Sequence, residues 1–202
     1  MIEQGRYEIG LCDAYATEYK EFWENCAAAF AHCNPGTSGD RYKEWQDWFD
    51  LRGKTLMDYG CGGVANIARA FPDNPYIGVD VAERSAVMAA YTHRDRPNFE
   101  VHLLPVYFAD LGADVLIAEQ VMVHFCDQEM LDAFLDNVNR SGIPELLLET
   151  RTITGDGVAF TPQAPNHACV VSWDYLKAHL PNYAMTKHQD NKAFNFSKWE
   201  LR

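Results

Sequence analysis

No two of the six cysteines (12, 26, 33, 61, 126 and 169) form a CxxC pair, so the spacing of a zinc ribbon or a dithiol redox motif is absent. His32-Cys33 with Cys26 falls short of a metal site in both spacing and ligand count, and no metal is expected. No apolar run approaches the length of a membrane span, and Glu3, Glu8 and Asp13 break up the start of the chain where a signal peptide would need an apolar stretch. Positive charge is scarce: 17 Lys plus Arg stand against 29 Asp plus Glu, a net charge of −12 without any basic run. That balance argues against broad contact with a nucleic-acid backbone. Internal repeats and low-complexity tracts are also missing. These absences lead to an expectation of a cytoplasmic protein with free cysteines, bound to neither membrane nor nucleic acid.

What is present is globular. Hydrophobic residues make up 48% and aromatics 13% of the 202 residues, enough for one domain with a substantial core. Tyr15, Tyr19, Phe22, Cys26 and Phe30 recur at helical spacing between Asp13 and Cys33, and Asn34-Pro35-Gly36 stops that helix. A second helix opens at Ser38 or Asp40, aligns Tyr42, Trp45 and Phe49, and is expected to end at Gly53. Helices this aromatic either pack against a core or close over a site as a lid.

From residue 54 the period changes. Strands are expected at Thr55–Tyr59, Tyr76–Val79 (ending in Asp80), Phe99–Leu104, Asp114–Ala118 and Glu145–Thr150, with helices at Ala65–Phe71, Glu83–Tyr91 and after Asp127. This alternation implies right-handed βαβ units and a parallel, doubly wound α/β sheet with helices on both faces. Residues 151–171 show no period and read as a loop. Ser172 caps a helix that Pro181 ends, and the tail reads as two strands around Asp190-Asn191-Lys192, a closing antiparallel hairpin. The whole is one domain, a helical cap over 1–53 followed by an α/β core over 54–202.

The centre of the chain is Leu56-Met57-Asp58-Tyr59-Gly60-Cys61-Gly62-Gly63-Val64-Ala65, a strand ending in an acid, a glycine-rich turn and a helix. Such a turn is expected to present backbone N–H groups to a ligand at the mouth of the sheet. Gly60-x-Gly62-x-x-Ala65 matches the dinucleotide fingerprint, and Asp80 sits where a ribose-binding acid belongs. Asp58 argues against a pyrophosphate there, because it adds a like charge at the strand mouth. A zwitterionic amino acid with a sulfonium centre is the better guest, its ammonium met by that acid or by a water bound to it.

These residues resemble the class I, Rossmann-like S-adenosylmethionine-dependent methyltransferases from about Thr55 to Leu201. Asp58-Tyr59-Gly60-Cys61-Gly62 is similar to the first motif of that family, which holds the methionine moiety. Ile77-Gly78-Val79-Asp80 is similar to its second, which implies Asp80 on the ribose hydroxyls and Val81 against adenine. Asp114 to Phe125 resembles the fourth-strand motif of the small-molecule branch, which implies Glu119 and Gln120 along the cofactor and His124 just past it. The resemblance also implies a seven-stranded, mostly parallel sheet with a reversed C-terminal strand under the N-terminal cap. Two positions depart from the pattern. Val64 replaces the usual third glycine, and Leu104 or Pro105 stands where an acid often meets adenine, leaving packing and backbone contacts to hold the base.

The expected activity is methyl transfer from S-adenosylmethionine to O, N or S of a small molecule, with S-adenosylhomocysteine as product. His124 and His167 are the candidate bases, with helix fixation and an exposed loop position as their plainer roles. Tyr15, Tyr19 and Trp23 are candidate substrate-side lid residues, with core packing as the alternative. Glu149 and Arg151 flank the end of the fifth strand, either to orient a polar substrate or as a neighbouring salt bridge. Cys61 reads as a small filler. A non-catalytic cofactor-binding subunit and an NAD-dependent oxidoreductase are the alternatives, and a homodimer is left open.

Overall fold

The structure, a computed structural model, describes residues 20–25, 41–160, 169–190 and 195–202. A helical segment at 20–25 precedes α1 (Arg41–Trp48). Then follow β1 (Leu56–Tyr59), α2 (Asn66–Ala70), β2 (Tyr76–Asp80), α3 (Glu83–Thr92), β3 (Phe99–Leu103), β4 (Val115–Glu119), α4 (Gln128–Ser141) and β5 (Glu145–Thr150). The chain closes with β6 (Val158–Phe160), β7 (Cys169–Val171), α5 (Trp173–His179), β8 (Tyr183–Gln189) and β9 (Asn195–Leu201). Seven strands form one sheet in the order β3-β2-β1-β4-β5-β9-β8. β1 to β5 are mutually parallel, and β9 runs antiparallel to both β5 and β8. The reversed last strand therefore lies inside the sheet, and β8 forms the edge.

Strand alternation assigns side chains to two cores. On one face Leu56, Val115, Ile117 and Leu147 meet Ile67 and Ala68 of α2, Ala89 of α3, and Tyr42 and Trp45 of α1. On the other, Met57, Leu116, Leu146 and Leu148 meet Met130, Leu131, Phe134 and Val138 of α4 and Leu176 of α5. Strands covered on both sides need apolar residues at every position, which is why β4 reads Val-Leu-Ile-Ala. Each fully buried Leu or Ile among them contributes ~1.5–3 kcal/mol relative to exposure. Asp127 caps α4, its Oδ1 accepting the Met130 N–H at 2.8 Å, and the Ser172 hydroxyl accepts the Tyr175 N–H at 3.0 Å to start α5.

Two details differ from the sequence expectation, and one decides between its alternatives. α1 ends at Trp48, and Gly53 (φ +70°) belongs to the following turn. Tyr42, Trp45 and Phe49 are buried in the core, so this helix packs rather than covers an opening. Within 151–171, β6 and β7 pair as a short antiparallel hairpin, strands of three residues being too brief to show a period. Tyr15, Tyr19, Cys26, His32, Cys33 and His167 lie outside the described residues. None of the described helices is long and apolar enough to cross a membrane.

Candidate active site

The neighbours of β1 are β2 on one side and β4 on the other, so successive crossovers leave β1 in opposite directions. In such sheets the crevice at the carboxyl ends of these strands is where ligands bind. A cleft of about 240 Å³ lies there, walled by the ends of β1, β2 and β4, the glycine turn, Trp23 and His124.

The glycine turn is tightly constrained. Gly60 and Gly62 have φ of +78° and +61°. A Cβ on Gly60 would stand 2.4 Å from Val121 Cγ2. Gly60→Ala is therefore expected to lower stability by ~1–3 kcal/mol through backbone strain and overpacking, read as a fall in the urea midpoint with an unchanged slope. An unshifted midpoint would mean that the turn relaxes freely. One expectation is corrected here: the first amides of the turn do not point at a ligand. The Gly60 and Cys61 N–H groups donate to the Val79 carbonyl at 2.7 and 3.2 Å, and the Gly62 N–H donates to Asp80 Oδ2 at 2.9 Å.

Three carboxylates face the cleft instead. Asp58, only 4% exposed, accepts the Tyr76 hydroxyl at 2.6 Å. Burial pushes its pKa up to about 8, the Tyr76 hydroxyl opposing this and the charges of Glu119 and Asp80 adding to it. Asp80 accepts the Ala82 N–H on Oδ1 at 2.8 Å as well as the Gly62 N–H. Burial raises its pKa while these amides hold it down. Glu119, at the end of β4, accepts the Tyr42 hydroxyl at 2.8 Å. Burial, reinforced by Asp80 and Asp58, pushes the Cys61 thiol well above its ordinary range, so it is no nucleophile at neutral pH. It fills space against Gly78, where a Cβ would stand 2.8 Å from its Sγ.

Val81, Leu104 and Gln120 also line the cleft. Gln120 adopts φ +56°, a left-handed conformation that costs a non-glycine residue ~1–3 kcal/mol and is characteristic of functional sites. His124 sits on a short 3₁₀ turn, Met122–His124, and meets the Trp23 ring edge-on with centroids 4.7 Å apart. Glu24, next to Trp23, accepts the Glu83 N–H at 2.6 Å and the Arg84 N–H at 3.2 Å in the first turn of α3. Glu149 and Arg151 are not among the residues lining the cleft, which opens between β1 and β4, one strand away from β5; Glu149 is 1% exposed. Asn66 and Ser85, not picked out from the sequence, do line it. Asn66 follows the turn directly, and its buried Oδ1 has no hydrogen-bond partner among the described residues. Their signal is positional: each lies in the first turn of a helix that follows a strand ending at the cleft. Among the described residues no cluster of three or more His, Cys, Asp or Glu is placed to hold a metal.

This sheet order and cleft have counterparts of known structure. Magnesium protoporphyrin IX methyltransferase from Synechocystis PCC 6803, solved with bound SAH, superimposes with a TM-score of 0.67 over 93% of this chain and 99% of that one, at 14% identity. The chain has the class I methyltransferase fold. The [4+2]-cyclase SpnF shares this methyltransferase fold with a TM-score of 0.58 at 14% identity, over 74% of this chain and 75% of that one. In sequence, 81 residues are 35% identical to ribosomal protein L11 methyltransferase from Marinomonas sp. (strain MWYL1). That match covers 37% of this chain but only 27% of the relative, so the chain spans about a quarter of the curated relatives it matches. No protein-family model matches.

Proposed function

We propose that this protein transfers a methyl group from S-adenosylmethionine to a small-molecule acceptor. The observation that carries this reading is the convergence of Asp80, Asp58 and Glu119 on one cleft at the ends of β2, β1 and β4, with no lysine or arginine among the described residues lining it. That charge pattern suits a cation and repels a dinucleotide pyrophosphate. The residues present fit the cofactor. A carboxylate accepts several hydrogen bonds at once, so Asp80 can take ribose hydroxyls while bracing the turn. Val81 and Leu104 offer apolar walls to adenine, the Asn66 Oδ1, unpartnered among the described residues, offers an acceptor, and Asp58 and Glu119 suit the ammonium.

When bound, S-adenosylmethionine supplies an electrophilic methyl group on a sulfonium and leaves as a neutral thioether. The protein's part is to hold the acceptor against that methyl in a site shielded from water, an arrangement worth roughly 7–11 kcal/mol of barrier. Trp23 covers the cleft beside His124, and His124 accepts the proton of an acceptor that must lose one. The net charge of −12 supports a small acceptor over a nucleic acid. The relative named for ribosomal protein L11 matches over a short stretch only, which leaves its substrate with that protein. A second reading, cofactor binding without methyl transfer, draws on the [4+2]-cyclase of the same fold, since a fold does not dictate its chemistry.

Titration calorimetry tests the cofactor: both S-adenosylmethionine and S-adenosylhomocysteine should bind, and no heat from either at millimolar concentration ends the proposal. Methyl-labelled cofactor incubated with a small-molecule extract and with protein tests the acceptor. Label should enter the small-molecule fraction. Label in protein alone would move the acceptor to the class of the L11 enzymes, and binding without any labelled product would favour the second reading.

A further inference from the structure

We propose that Tyr42 on α1 is a positioning residue that holds Glu119 against the ammonium end of the cofactor, making the N-terminal helix part of ligand selection. The inference rests on the cofactor reading above and extends it to a residue outside the cleft wall.

The parallel register of β1 and β4 sets Asp58 opposite Ile117, and Glu119 lies two residues further along β4. With a period of two, Asp58, Ile117 and Glu119 project from the same face of the sheet. That is the face α1 covers, since Ile117 and Tyr42 share one core. The Tyr42 hydroxyl thereby reaches Glu119 Oε2 at 2.8 Å across 77 residues of sequence. Its ring has little freedom. It is 4% exposed and meets Trp45 edge-on at 4.8 Å and Phe71 at 6.3 Å.

Asp58 is held in the same manner by a second buried phenol, Tyr76, whose ring stacks on Phe99 at 5.0 Å. Two neighbouring acids thus each take one hydroxyl from a ring fixed in the core. A phenol donor orients a carboxylate without neutralising it, and the carboxylate keeps further acceptor capacity. Burial, with the charges of Glu119 and Asp80 adding to it, raises the proton affinity of Asp58, so an ammonium brought to this corner meets acids whose charge it stabilises. The adenosine half of the cofactor belongs at the β2 end with Asp80, so the acids on β1 and β4 face its amino-acid half.

The discriminating probe is a pair of ligands: S-adenosylhomocysteine, and 5′-methylthioadenosine, which shares the adenosine and thioether but lacks the amino acid. Tyr42→Phe should weaken S-adenosylhomocysteine binding about tenfold, because the carboxylate is no longer held in one orientation before the ligand arrives, and leave 5′-methylthioadenosine binding unchanged. Glu119→Gln should reproduce that selective loss, and adding Tyr42→Phe to it should weaken binding no further, because the hydroxyl acts through the carboxylate. A merely structural tyrosine would lower both affinities together. Equal losses for the two ligands, or no loss for S-adenosylhomocysteine, would overturn the proposal. A wild-type protein that binds neither ligand would instead remove the cofactor reading beneath it.

Discussion

Asp80→Ala is expected to lower affinity for S-adenosylhomocysteine by about 100-fold. The side chain stands at the end of β2, buried, with each oxygen already accepting one backbone amide of its surroundings, Gly62 on one side and Ala82 on the other. Removing it takes two things from the ligand. On the proposed reading the ribose hydroxyls lose a charged acceptor, worth ~1.5–3 kcal/mol per hydrogen bond. The Gly62 amide loses the brace that fixes the second glycine at φ +61°, so the turn no longer presents one shape to the methionine moiety. Even the lower end of that range for two bonds, at ~1.4 kcal/mol per tenfold, accounts for a factor of 100. Folding stability should change less. The variant removes a charge that burial disfavours, and it strands two amide donors at ~1–3 kcal/mol each, so the two effects partly offset. Asp80→Asn, which retains one acceptor oxygen, should fall between the variant and the wild type. Calorimetry on all three reads the ranking, and an unchanged affinity in the alanine variant would move the ribose away from β2.

The reason Asp80 was visible in the sequence is the reason much of the fold was. β1, β2 and β4 are buried on both faces, so their apolar runs stand out, and an acid closing such a run marks a strand mouth. α4 was equally plain, because Asp127 supplies its cap and Met130, Leu131, Phe134, Leu135 and Val138 trace a wide stripe. What the sequence does not carry is where hydrogen bonds go. The glycines announced a turn, but nothing in Gly60-Cys61-Gly62 reveals that its amides are consumed by Val79 and Asp80. Tyr42 reads as one of an aromatic helix face and Tyr76 as the start of a strand; both are buried, while their hydroxyls serve carboxylates 77 and 18 residues away. Glu119 and Glu149 illustrate the same limit. Both close apolar strands and are paired in register, yet only Glu119 lines the cleft, because the crevice opens on the β1 side of β4. That choice is a property of strand order, which no local pattern encodes.

Asp58→Asn should remove two pH dependences at once. In the folded protein burial raises the Asp58 pKa to about 8 from an ordinary 3.8. Between those values the folded state keeps a proton that the unfolded chain releases, so this group makes stability fall as pH rises, by about 1 kcal/mol per pH unit. Its contribution is fully present below pH 4 and lost by the time the pH has passed about 8. Asparagine has the same shape, can still accept the Tyr76 hydroxyl, and never ionises. The variant should therefore melt close to the wild type at pH 4 and increasingly above it as the pH rises to 9. Ligand binding should respond in the opposite sense. An ammonium needs the ionised carboxylate, so wild-type affinity for S-adenosylhomocysteine should climb between pH 6 and 8, with release of close to one proton per ligand bound in the lower part of that range. It should decline again as the ligand's own amine deprotonates. Calorimetry in two buffers of different ionisation enthalpy measures the released proton directly. In Asp58→Asn both the climb and the proton release should vanish, and affinity at pH 8 should be weaker than in the wild type. A variant that still releases a proton on binding would assign the titration to another group, and Asp58 would then be a structural acid held neutral by its burial.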